Sequence, residues 1–234
     1  YSMQGSLWRQ SLDSTATEQL TASSGYDFQP DVSPDGKSVV FARYDGTSIE
    51  LQLLDLESGD VSALTTTGAA STDPRFSPDG SRIAFNSERD GNWEIYVMNA
   101  DGTGQTRLTN NSVYDQEPAW SPDGRKIAYV SFEDRKAAIW IQEVFTGRRE
   151  KAASFNGING APAWSPASNS RSSTWPRECS QLSGDSARLT VTVRRFPLAT
   201  EPLIGPSSVS SFSTSCRCIV LSPVDESGDA LATL

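Results

Sequence analysis

The tetrapeptide Ser-Pro-Asp-Gly stands at 33–36, at 77–80 and at 121–124, and a fourth copy begins at 165 but reads Ser-Pro-Ala-Ser. Ser33, Ser77, Ser121 and Ser165 are therefore 44 residues apart, and Pro30, Pro74, Pro118 and Pro162 keep that interval three residues ahead of them. The pairs Leu20-Thr21, Leu64-Thr65 and Leu108-Thr109 share it. Three independent landmarks on one period mean tandem copies of a single supersecondary unit, which constrains the fold more tightly than any composition does.

Each copy reads as four short strands. The stretches 30–46, 74–91 and 118–134 hold two apolar runs around a turn. A third, alternating strand follows and ends at a Gly turn, and a last short strand runs into Leu-Thr. On the third strand, Ile95 and Val97 alternate with Glu94, Tyr96 and Met98, which predicts one face more buried than the other. Between the first two strands the chain must reverse: Pro presets φ, Asp bonds nearby backbone and Gly accepts positive φ. Pro34, Asp35, Gly36, Pro78, Asp79, Gly80, Pro122, Asp123 and Gly124 are thus read as structural turns, not catalytic groups.

Four-stranded units of this length are β-propeller blades, and helical solenoids would need a 3.6-residue periodicity that these segments lack. The fold class is all-β: an incomplete β-propeller with about four to five recognisable blades. A blade fragment occupies 1–21, full blades 22–65, 66–109 and 110–153, and the next blade starts at 154–166. Trp120, Trp164 and Phe76, with Val32 at the matching position, recur ahead of Ser-Pro and are expected to pack between blades. Trp8, Trp93 and Trp140 are assigned to a shared place on the third strand, also structural.

The 20 Lys+Arg against 29 Asp+Glu leave a net charge of −9, and no cluster of basic residues exists to meet phosphates. Neither nucleic acid nor an anionic membrane surface is expected as partner. No run of 18 apolar residues spans a bilayer, so no membrane insertion is expected. The opening residues lack an initiator Met and the layout of a signal peptide, so the chain is expected to begin within a longer or processed protein. The chain has no histidine, which removes Ser-His-Asp and Cys-His systems and most zinc sites. No nucleophile elbow or phosphate loop is present, and Cys179, Cys216 and Cys218 have neither metal-site spacing nor an even count. No catalytic residue, metal or cofactor is assigned.

After residue 166 the pattern breaks. Segment 167–234 is Ser/Arg-rich, has no lysine and holds all three cysteines. Two readings stand: a flexible Ser/Thr-rich tail, or out-of-frame coding sequence. Codons for 169–173 can be chosen so that dropping two bases yields Leu-Ala-Phe-Val, the strand that the repeat expects there. Further on, Arg195–Pro202 again resembles the start of a blade, four residues early. A frameshift is the favoured expectation, and it would leave the ring open.

The pattern PxxSPDGxxIAFxSxRDGxxEIYVMNADG…RLT resembles the repeat of TolB-type β-propellers, over roughly residues 1–166. The phrases YVSFE, IWIQEVFTG, ASF and NGAPAWSP within 118–166 are similar to the propeller of the Tol–Pal envelope system. The resemblance implies a periplasmic, non-enzymatic hub that docks a peptidoglycan-associated lipoprotein at one mouth of its ring. It places Ile158, Asn159, Gly160 and Ala161 at the partner-facing rim, in loops between the Leu-Thr strand and the next Pro, with Thr200 and Glu201 in the next blade. Asp27, Asp73, Asp115 and Glu117 fall at matching places as carboxylates at the channel mouth. A cation could sit among them, but repetition alone produces the pattern. The alternative is the propeller module of an exported hydrolase, of amidohydrolase or prolyl-oligopeptidase type, whose catalytic domain lies outside this chain.

Overall fold

The computed structural model describes residues 1–154, 158–164, 189–194 and 217–221. Among the described residues, five antiparallel sheets follow one another in sequence and no helix occurs. The first sheet has three strands, β1 (Ser2–Met3), β2 (Ser6–Gln10) and β3 (Thr17–Gln19). Three four-stranded sheets come next. The second sheet is β4 (Tyr26–Val32), β5 (Ser38–Tyr44), β6 (Ile49–Asp55) and β7 (Val61–Ala63). The third is β8 (Ser71–Phe76), β9 (Arg82–Ser87), β10 (Glu94–Asn99) and β11 (Thr106–Arg107). The fourth is β12 (Asp115–Trp120), β13 (Lys126–Ser131), β14 (Ala138–Glu143) and β15 (Arg149–Ala153). The fifth has β16 (Ile158–Trp164), β17 (Leu189–Arg194) and β18 (Arg217–Leu221). Up-and-down sheets of this size, stacked in series, are the blades of an incomplete β-propeller.

The Ser-Pro-Asp-Gly turns repeat down to single hydrogen bonds. Ser33 accepts the Gly36 amide on its carbonyl at 2.8 Å and the Ser38 amide on its hydroxyl at 2.9 Å. That hydroxyl donates to Asp35 Oδ1 at 2.6 Å, and the Lys37 amide reaches the same oxygen at 3.1 Å. Ser77-Asp79 and Ser121-Asp123 repeat the arrangement, and Gly36, Gly80 and Gly124 sit at φ 72°, 72° and 68°, where a Cβ would be strained.

The cores lie between sheets. On β5, Val39 and Phe41 pack with Leu7 and Leu54 toward the first sheet, while Val40 and Ala42 pack with Ile83 and Phe85 toward the third. On β9, Ile83 and Phe85 face back and Ala84 faces on to Trp120, Ile127 and Tyr129. On β13, Ile127 and Tyr129 face back, and Ala128 and Val130 face forward with Ile139. This corrects the expectation of one drier face on the third strand: Glu94 through Met98 are all buried on β10. A blade between two blades has no solvent face, so its middle strands are apolar on both sides.

Trp120 is 8% exposed and its Nε1 donates to Arg75 O of the preceding sheet at 3.0 Å, while Trp164 Nε1 donates to Ala119 O at 3.1 Å. Both indoles therefore bridge neighbouring sheets. Trp8 lies on β2, which corresponds to the third strand of the later sheets, and Trp140 lies on such a strand, β14. Trp93 does not: it precedes β10, and Tyr96 holds the equivalent place.

Candidate docking face on the inner strands

The first strands of the sheets, β4, β8, β12 and β16, pack against one another in series and form the inner rank. Each carries the same irregularity. The register slips by one residue between Phe28 and Asp31, Thr72 and Arg75, Gln116 and Ala119, and Gly160 and Ala163. In each bulge a non-glycine residue takes a left-handed conformation: Gln29 at φ 51°, Asp73 at 50°, Glu117 at 59° and Ala161 at 47°. Each of the four stands immediately before a Pro. Proline offers no amide to a ladder, so it sits where pairing is already interrupted. Left-handed backbone costs such residues roughly 1–2 kcal/mol. Bonds between blades offset that cost. Gln29 Nε2 donates to Asp73 Oδ1 at 2.5 Å while its Oε1 accepts the Asp73 amide at 3.1 Å, and Glu117 Oε2 accepts the Ala161 amide at 2.6 Å. Asp31 Oδ2 accepts the Phe76 amide at 2.8 Å.

The expected mouth carboxylates separate into two pairs. Asp27 and Asp115 are 1% and 0% exposed, so neither offers its carboxylate to a channel. The bidentate guanidinium of Arg43 neutralises Asp27 at 2.6 and 2.9 Å. Burial pushes the Asp115 carboxyl up to about 6. Asp73 and Glu117 are half-buried at the bulges, near enough that Glu117 adds to the burial that raises Asp73. Among the described residues no group of three or more His, Cys, Asp or Glu is arranged to hold a metal.

Ile158, Asn159 and Gly160 lie on β16 itself, opposite Arg194, Val193 and Thr192, rather than in a loop, because their backbone is taken up by the ladder to β17. Ala161 stands in the bulge and is exposed. Thr200 and Glu201 lie outside the described residues. Sequence reasoning missed two features of this face. One is the left-handed bulge itself, whose signal was the fixed place before each Pro. The other is Tyr26 and Tyr114, 63% and 56% exposed at equivalent places where β4 and β12 begin. The two tyrosines stand three residues ahead of the bulge residues Gln29 and Glu117 and expose apolar area there.

The family model described as the TolB beta propeller domain matches residues 2–118 and 116–178. None of the curated proteins matches the chain. Among solved structures, TolB from Acinetobacter baumannii is 23% identical with a TM-score of 0.59, over 80% of this chain and 46% of that one. A putative TolB from Agrobacterium tumefaciens is 27% identical with a TM-score of 0.52, over 58% of this chain and 51% of that one. A puromycin-hydrolyzing peptidase from Mycobacterium tuberculosis is 13% identical with a TM-score of 0.60, over 94% of this chain and 30% of that one. The chain thus spans about half the length of the TolB structures, at 46% and 51%.

Proposed function

The chain belongs to the TolB β-propeller domain family, and from that premise we propose that it is a non-enzymatic protein-binding scaffold of the periplasm. Its partner in this reading is a peptidoglycan-associated lipoprotein, docked at the mouth where the inner strands begin. The observation that carries the reading is the repeated left-handed bulge, which exposes Ala161 in β16 and is tied from blade to blade. Such a rim is held rigid before a partner arrives, and preorganisation lowers the ordering cost of binding. The function requires no His, metal or nucleophile, in keeping with a chain that has no histidine.

Titration calorimetry of the chain against the lipid-free domain of a peptidoglycan-associated lipoprotein tests this directly. The expected result is one-to-one binding, weakened at least tenfold, about 1.4 kcal/mol, by Ala161→Trp. Absence of heat with the parent chain overturns the reading. The fold likeness to the peptidase favours a second reading, a propeller that positions substrate for a catalytic domain. A gene that encodes a hydrolase domain in frame beyond residue 234 would decide for it.

A further inference from the structure

One cross-strand place recurs in three successive sheets and is filled differently in each. In the second sheet Asp27 faces Arg43 and is neutralised by it. In the third, Ser71 faces Ser87, hydroxyl to hydroxyl at 3.2 Å. In the fourth, Asp115 faces Ser131, so the acid of the second sheet meets the neutral hydroxyl of the third. Asp115 and Ser131 are both 0% exposed. Asp115 Oδ2 accepts from Asn111 Nδ2 at 2.7 Å, while Oδ1 and the Ser131 hydroxyl are both buried without a hydrogen bond.

The surroundings do not supply the missing charge. Across the interface from the third sheet stands Glu94, like in sign, with its own partner Arg107 at 2.8 Å and Thr109 on its other oxygen. From the fourth sheet come Tyr129, whose hydroxyl feels Asp115 and is raised chiefly by burial, and Glu133, which holds Arg149. On β8, Arg75 acts on Asp73, as does Glu117 from β12. The sequence of β16, Ile158–Trp164, contains no titratable side chain. The guanidinium groups of Arg107 and Arg149 are thus engaged by other carboxylates.

We propose that Asp115 is an acid-dependent latch in the fourth sheet. Protonated, its carboxyl carries no charge in the buried site and, bonded to Ser131, joins the start of β12 to the end of β13. On loss of that proton to solvent, the site holds a buried charge without a counter-ion, and the two strands separate more often. The rise of the Asp115 carboxyl to about 6 agrees with this geometry. For a carboxyl that ionises normally once exposed, opening should grow tenfold per pH unit from about 4 to about 6, roughly 100-fold in all, then level off.

Amide hydrogen exchange on the full chain tests it, with intrinsic chemical rates divided out, across pH 4 to 7. Amides of β12 and β13 should show the roughly 100-fold rise in opening, while those of β5, beside the neutralised Asp27, stay flat. Asp115→Asn should abolish the rise, and Ser131→Arg, which copies the ion pair of the second sheet, should do the same. An equal rise in β5, or a rise that survives in either folded variant, overturns the proposal. Carbon-13 titration of the Asp115 carboxyl in the parent chain needs no variant. A midpoint near 6 supports the latch, and one in the ordinary carboxylate range near 4 overturns it.

Discussion

The Leu-Thr pair that closes each repeat makes a prediction that separates hydroxyl chemistry from packing. Thr21, Thr65 and Thr109 each accept on Oγ1 the amide proton of a third-strand residue, Leu7, Leu51 and Ile95, at 2.9 Å in every case. Thr65 also donates to Glu50 and Thr109 to Glu94, both at 2.5 Å, whereas the place equivalent to these glutamates in the first sheet is Ser6. Valine in place of each threonine removes the hydroxyl at nearly constant size. At 109 the Ile95 amide is stranded, at about 1–3 kcal/mol, and a charge-assisted bond worth about 1.5–3 kcal/mol is lost. Glu94, 0% exposed, keeps Arg107, Asn92 and the Asn111 amide, so the two losses overlap and roughly 3–4 kcal/mol is expected. At 65 the half-buried Glu50 can take water instead, leaving about 2–3 kcal/mol, and at 21 only the amide is stranded, about 1–2 kcal/mol. Urea unfolding followed by tryptophan fluorescence reads the series. With a slope of about 3 kcal/mol/M, Thr109→Val lowers the midpoint by roughly 1 M and Thr21→Val by about half of that or less. Equal shifts at all three places would refute the reasoning, because only the carboxylate distinguishes them.

Three further outcomes follow from single contacts. Arg43→Met leaves Asp27, 1% exposed, with a buried charge and should cost about 3–5 kcal/mol in urea unfolding, with recovery when Asp27→Asn is added. Gly36→Ala meets no atom within 4 Å but keeps φ at 72°, so it should lose only the backbone term of about 1–2 kcal/mol, read as a melting shift of roughly 2–8 °C. Hydrogen bonds from Ser77 and then from Ser81 hold the Asp79 carboxyl down to about 2. A depressed carboxyl stabilises above its unfolded value, so this contribution is complete above about 4 and fades as pH falls toward 2. Asp79→Asn should therefore narrow the gap between urea midpoints measured at those two pH values.

What could be read ahead of the structure was whatever rests on local chemistry. Ser-Pro-Asp-Gly is a turn because of bonds within six residues, and the period exposes itself by repetition. The four-stranded unit and its strand order follow from those two facts. The drier-face expectation for β10 failed because alternation reports polarity, whereas burial on both faces depends on a neighbour that no single strand reveals. Asp27 and Asp73 look alike as residues two apart in equivalent repeats. Only the arginine at 43, sixteen residues away and across the pair, marks the first as internal. The bulge escaped notice for a related reason: residues before Pro are ordinarily extended, and only bonds between blades hold Gln29, Asp73, Glu117 and Ala161 otherwise.

The misspelled fourth turn carries a last prediction, on the gene rather than the protein. In the fourth sheet Trp120 pairs with Ile127, across the Ser-Pro-Asp-Gly turn. In the fifth, the equivalent Trp164 pairs with Leu189, well beyond where the repeat places its second strand. The strand at 189–194 reads Leu-Thr-Val-Thr-Val-Arg, polar at every second residue, unlike Val-Val-Phe-Ala, Ile-Ala-Phe and Ile-Ala-Tyr-Val in the blades before it. A middle strand between two blades needs apolar side chains on both faces, and the sequence of β17 alternates instead. If a frameshift displaced the native strand, re-sequencing the gene should show an inserted or deleted base in the codons near 166–169. The corrected frame should then read an Ile-Ala-Phe type segment within a residue or two of position 170. An unbroken frame through those codons would mean that the alternating strand is native, and that the blade it completes is a terminal one with a solvent face.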